Sequence, residues 1–102
     1  MNEGVSKAGT VTPTLSRTIL ICNQRGLHAR AAARFVKCAE RFDAEIAVVK
    51  KDIVVSGLSI MGLMMLAAGP GTAIEITATG PEAREALDAL AALVDGKFGE
   101  DE

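Results

Sequence analysis

Along this chain, stretches in which apolar residues recur at every second position give way to stretches in which they recur at every third or fourth. Between Leu15 and Cys22 the β-rich run Thr18-Ile19-Leu20-Ile21 puts Ile19 and Ile21 on one face, which predicts a first strand. Asn23-Gln24-Arg25-Gly26 carries turn residues. From Ala29 to Arg41, Ala32, Phe35, Val36 and Ala39 fall at helical offsets, and Arg30, Arg34, Lys37 and Arg41 line the opposite face. This predicts an amphipathic helix with a basic stripe. Ile46 and Val48, then Ile53-Val54-Val55, flank Lys50-Lys51-Asp52 and predict a hairpin whose register stays open, because no Asn-Gly turn is present. Ser59 opens an apolar stretch, Ile60 to Ala68, poor in β-branched residues, which predicts a short helix stopped by Gly69-Pro70-Gly71. Thr72 to Thr79 alternates again, with Ile74, Ile76 and Ala78 facing one way, as a last strand. Gly80-Pro81 then starts a helix with proline at its first position and a buried stripe of Ala83, Ala86, Leu87, Leu90 and Val94.

The order is β-α-β-β-α-β-α. Strands of alternating polarity are wet on one face and covered on the other, so the expected class is α+β, an open-faced sandwich with the helices on one side. Residues 1–14 are small, polar and unpatterned and are expected to form a flexible arm. The domain should span 15–95, and residues 96–102 should be an acidic tail that frays.

Length and composition narrow the function. At 102 residues and 10.6 kDa the chain makes one domain and buries roughly 65% of its unfolded surface. Any site must be shallow. No run of consecutive apolar residues exceeds six, Leu63 to Ala68 being one, so membrane insertion is not expected. No secretory signal is apparent at the N-terminus, which points to the cytoplasm. Net charge is only −2, but it is divided. Residues 24–41 hold five basic side chains against one acidic, whereas residues 81–102 hold two basic against seven acidic. With no Trp or Tyr and three Phe, the chain lacks stacking platforms for nucleic acid.

Candidate chemistry centres on His28, the sole histidine, placed where the turn becomes the first helix, with Arg30 two residues later. A helix start presents unpaired N–H groups and partial positive charge, so a phosphate carried on this imidazole would meet donors at once. Arg30 can add a charge-assisted pair to its oxygens. A partly neutral imidazole can attack phosphorus and later leave. Cys22 and Cys38 lie sixteen residues apart without a Cys-x-x-Cys pair, so no zinc or redox site is expected and both read as core thiols. Ser59 suits an N-cap. Ile60, Met61, Met64 and Met65 exceed what one face of a short helix can bury, which suits an adaptable docking surface. No metal or other cofactor is called for.

Gly26-Leu27-His28-Ala29-Arg30, followed by a helix with Phe35 and Val36 and then by Ser59-Ile60-Met61-Gly62-Leu63-Met64, resembles the histidine-containing phosphocarrier family (HPr/NPr) of the bacterial phosphoenolpyruvate-dependent phosphotransferase system. The resemblance runs from about Leu15 to Val94. It implies a four-stranded antiparallel sheet with three helices on one face. It also implies a stoichiometric carrier and not an enzyme: His28 takes a phosphoryl group on Nδ1 from phosphorylated enzyme I and gives it to an IIA-type acceptor, with Arg30 neighbouring the phosphate. Ser59 becomes a candidate phosphoserine for the HPr kinase/phosphorylase, and Ile60, Met61, Met64 and Arg34 become candidate partner-binding residues of a monomer. Two departures stand out: Ala31 where many relatives place proline, and Leu58 where lysine is frequent. An alternative is a regulatory, nitrogen-branch or signalling module in which docking through the Met-rich helix matters more than sugar transport. A small hydrolase using His28 as base ranks last, because no nucleophile or carboxylate sits beside it in sequence.

Overall fold

The computed structural model describes residues 13–100. Four strands, β1 (Thr14–Leu20), β2 (Glu45–Lys50), β3 (Ile53–Ser56) and β4 (Ala73–Thr79), alternate with three helices, α1 (Ala29–Ala39), α2 (Ile60–Met65) and α3 (Ala83–Asp95). The sheet order is β1-β4-β2-β3, with every neighbouring pair antiparallel. Alternation along the strands decides which face is covered: Ile19, Ile46, Val48, Ile74, Ile76 and Ala78 are buried, while their sequence neighbours point away. Against that one face pack Ala31, Ala32, Phe35 and Ala39 of α1, Leu63 of α2 with Leu66 just past its end, and Ala86, Leu87, Leu90 and Val94 of α3.

The hairpin register left open by the sequence is Val48 opposite Val55 and Lys50 opposite Ile53, joined by Lys51 and Asp52. Lys51 takes the turn at φ 55°, so a left-handed position is filled here without glycine. Central β4 is the strand that everything else references: it pairs with β1 through Ile19 and Ile74, and with β2 through Val48 and Ile76. β1 stops at Leu20, yet Ile21 remains fully buried and keeps the ladder going, donating to Thr72 O at 2.9 Å and accepting from Gly71 N at 2.7 Å.

Several expectations need correction. β1 starts at Thr14, one residue before the anticipated domain boundary, and residues 1–12 of the expected arm lie outside the described residues. Pro81 sits in the turn preceding α3, whose N-cap is Glu82, because the Gly80–Glu82 segment is turned to hydrogen-bond the Asp43 loop. Neither cysteine is fully buried, though Cys38 packs against the core as expected. Cys22 is exposed, with its Sγ toward the Val94 carbonyl at the end of α3 (3.4 Å), and Cys38 is half-buried. Burial pushes the Cys38 thiol pKa up, and the Arg41 guanidinium partly opposes it.

The end of the chain is the largest departure. Instead of fraying at Gly96, it makes a 3-10 turn at Lys97–Gly99 and drives Phe98 into the core at 1% exposure. Burial of a ring this size outweighs the entropy of ordering a few terminal residues, which acidity alone does not reveal. Residues 101–102 lie outside the described residues.

Candidate functional site

The residues between β1 and α1 form a tight loop held against the C-terminal end of α2. Gly26 adopts φ 65°, and a Cβ there would lie 2.4 Å from the Ala68 carbonyl oxygen, so both conformation and space demand glycine. Leu27 N–H donates to that same carbonyl at 3.0 Å. Asn23, wholly buried, donates from Nδ2 to Gly26 O at 2.8 Å, and His28 N–H donates to Gly26 O at 2.9 Å. The loop therefore delivers His28 to one defined place.

His28 is the N-cap of α1, with φ −75° and ψ 178°, and its carbonyl accepts the first helical bond, from Ala32 N at 2.8 Å. Its side chain does not cap the helix. The amides of Ala29, Arg30 and Ala31 consequently have no acceptor within α1, and they leave donors and the positive end of the helix dipole beside the imidazole. The ring is 18% exposed. Nε2 meets the Glu100 carboxylate, whereas Nδ1 has no hydrogen-bond partner among the described residues. Glu100 Oε1 also accepts from Asn23 Nδ2 at 3.1 Å. The arrangement offers one engaged and one available ring nitrogen next to a cluster of donors, which fits transient attachment of an anionic group.

Arg30 lies exposed in the first turn of α1 and makes no ion pair among the described residues. One turn further on, the exposed Arg34 donates from Nη1 to the Phe98 carbonyl and so straps the chain terminus down. Ser59, at the far end of α2, stands apart from this cluster. Ser59 Oγ caps α2 by accepting from Gly62 N at 2.9 Å, which bears out the expected cap. Because the C-terminal end of α2 is the one touching the His28 loop, Ser59 lies a helix length away, about 9 Å along the axis for six residues. Lys50 Nζ donates to Leu66 O at 2.8 Å and covers the carbonyl end of α2. Between these ends, Ile60, Met61, Met64 and Met65 form the expected exposed apolar surface, with Met61 and Met65 each 70% exposed. Sequence reasoning missed Asn23, Phe98 and Glu100. A phenylalanine three residues past a helix, in a chain with only three, was the available signal.

Residues 15–95 match the family model described as the phosphorylation site of the HPr component of the phosphotransferase system. The chain belongs to the HPr family. It is 50% identical over 88 residues to the phosphocarrier protein HPr of Neisseria meningitidis serogroup A, covering 86% of this chain and 99% of that protein. It is 48% identical over 86 residues to the phosphocarrier protein NPr of Shewanella violacea, covering 84% and 94%. The fold matches the crystal structure of HPr-C-His from Thermoanaerobacter tengcongensis with a TM-score of 0.82, at 42% identity over 86% of this chain and 99% of that one. As a member of the HPr family it is a phosphocarrier of the phosphotransferase system, carrying a group and not catalysing in the usual sense. No helix among the described residues is long and apolar enough to cross a membrane, and those residues contain no cluster of His, Cys, Asp and Glu able to hold a metal ion.

Proposed function

We propose that His28 is the phosphoryl-carrying residue, charged on Nδ1 by phosphorylated enzyme I and discharged to an IIA-type protein in the cytoplasm. One observation carries this reading: His28 occupies the N-cap of α1 without using its ring to cap, so the imidazole stands beside unpaired amide donors with Nδ1 available. A phosphoryl group on that nitrogen meets the start of α1, and the exposed Arg30 supplies a guanidinium for its oxygens. The group stays accessible because the ring is partly open to solvent, and a shallow site suits a protein that hands its cargo to other proteins.

Docking of those partners falls to the face beside the site. Ile60, Met61 and Met64 present apolar, conformationally adaptable area, and Arg34 with the rest of the α1 basic stripe attracts acidic partners. Ser59 is the regulatory position of this reading. A phosphate on Oγ sits at the start of α2, where the helix tolerates negative charge, while it adds about −2 charge to a docking face that otherwise attracts acidic surfaces. Ser59→Asp is expected to slow transfer from enzyme I while leaving the fold intact; unchanged transfer kinetics count against regulation there. Whether the phosphate serves sugar uptake or a regulatory branch is decided by which IIA-type protein discharges it fastest.

The test of the central reading mixes the protein with enzyme I and labelled phosphoenolpyruvate and compares it with His28→Ala. Acid-labile, base-stable label on the native chain alone is the expected result. Label retained by His28→Ala overturns it.

A further inference from the structure

Glu100 comes from the acidic end of the chain, yet its side chain is only 12% exposed and meets the His28 ring at Nε2. An ionised carboxylate accepts hydrogen bonds and has none to give, so the proton in this contact belongs to Nε2. A neutral imidazole carries one N–H, and the partner of one ring nitrogen thereby decides the state of the other. The lone pair is then on Nδ1.

We propose that Glu100 is a positioning residue of the phosphoryl relay, holding Nε2 protonated so that Nδ1 alone is presented to phosphorus. This rests on the reading of His28 as the acceptor. In the transfer the Nδ1 lone pair forms the bond to phosphorus while the bond from phosphorus to the donor's leaving atom breaks, that electron pair going to the leaving atom. The proton on Nε2 stays in place throughout. The ring, now bonded to phosphorus and still protonated, acquires positive charge, and the carboxylate facing it holds that charge, by the same logic as the carboxylate behind the histidine of a catalytic triad. Delivery to the next acceptor reverses these steps.

The chain invests in placing this one carboxylate. Phe98 is buried two residues earlier, Arg34 Nη1 holds the Phe98 carbonyl, and Glu100 N–H closes the turn onto Lys97 O at 2.9 Å. Asn23 Nδ2 fixes the second carboxylate oxygen at 3.1 Å, from the same loop that carries His28. The ring and its acceptor are thus held by one loop and one terminal turn.

The experiment uses the full chain with 15N-labelled histidine, native and as Glu100→Gln and Glu100→Ala. It reads the imidazole 15N shifts, the position of the phosphoryl group by 31P spectroscopy, and the rate of charging by enzyme I and phosphoenolpyruvate. The native protein is expected to show the Nε2–H tautomer and phosphorylation on Nδ1 only. Glu100→Gln puts an amide there whose oxygen is taken by Asn23 Nδ2, so its NH2 faces Nε2 and is expected to shift the ring toward the Nδ1–H tautomer, with slower charging. Glu100→Ala is expected to mix tautomers, to charge on the order of tenfold more slowly, and to place some phosphoryl on Nε2. Native 15N shifts in Glu100→Ala overturn the proposal, whether charging slows or not, since a slower rate alone would mark only a structural or docking role. Label appearing with His28→Ala instead removes the reading of His28 itself, so the two failures are distinguishable.

Discussion

Phe98→Ala tests whether the terminal turn is an integral part of the fold. The ring is 1% exposed, and a buried phenylalanine removes about 150–250 Å² from water, worth about 4–6 kcal/mol at ~25 cal/mol per Å². Truncations of buried phenylalanine typically cost about 3–5 kcal/mol. Here a relief term applies. Phe98 lies in a short turn beyond α3, so the turn at Lys97–Gly99 can peel away, and each residue released recovers about 1–2 kcal/mol of conformational entropy. With one or two residues released, the net loss is expected at about 2 kcal/mol, or a fall in melting temperature of about 8–16 °C for a domain of this size. Urea and thermal denaturation followed by circular dichroism measure it. Amide exchange adds a local readout, because Gly99 N–H and Glu100 N–H, bonded to Gly96 O at 3.0 Å and Lys97 O at 2.9 Å, lose protection when the turn peels. Phe98→Leu, which keeps most of the apolar volume, should cost about 1 kcal/mol. A loss below about 0.5 kcal/mol for Phe98→Ala, the range of ordinary surface changes, together with unaltered amide exchange, refutes the packing of this turn.

Other positions give equally direct checks. Gly26→Ala forces a side chain onto φ 65° and within 2.4 Å of the Ala68 carbonyl oxygen, and is expected to cost about 3 kcal/mol in urea denaturation; a loss under about 1 kcal/mol would show that the His28 loop is not held against α2. Ser59→Ala removes the acceptor for Gly62 N and should cost about 1 kcal/mol, whereas Ser59→Asp keeps a good N-cap and should leave stability within about 0.5 kcal/mol of native; equal losses for both would contradict the capping role. Cys38 should alkylate slowly at pH 8, its rate climbing only above the usual thiol range, because burial raises its pKa and shrinks the thiolate fraction at a given pH; iodoacetamide labelling read by peptide mass spectrometry checks this, and free-cysteine rates at pH 8 would refute it.

How far residues alone reveal the protein depends on how local each cause is. The alternations at Ile19, Ile74-Ile76-Ala78 and Ile46-Val48, and the helical spacing at Ala32, Phe35, Val36 and Ala39, are visible because strand and helix periods are local geometry. The hairpin register was hidden because Lys51 fills a left-handed turn position that glycine or asparagine normally signals. The exposure of Cys22 is not legible because burial is a property of neighbours: it falls just beyond the end of β1, where only its Sγ reaches the last turn of α3.

The chain's own pattern determined an α+β sandwich of this element order, and the Gly26-to-Arg30 segment with Ser59 to Met64 marked its kinship, since periodicity and short motifs need only nearby residues. Folding decided that β4 lies between β1 and β2, and that the last turn returns to His28 across seventy-two positions of sequence to set Glu100 on its ring. Such contacts between distant residues follow from which surfaces exclude water together, a free energy summed over the whole core that leaves no trace in the spacing of neighbouring letters.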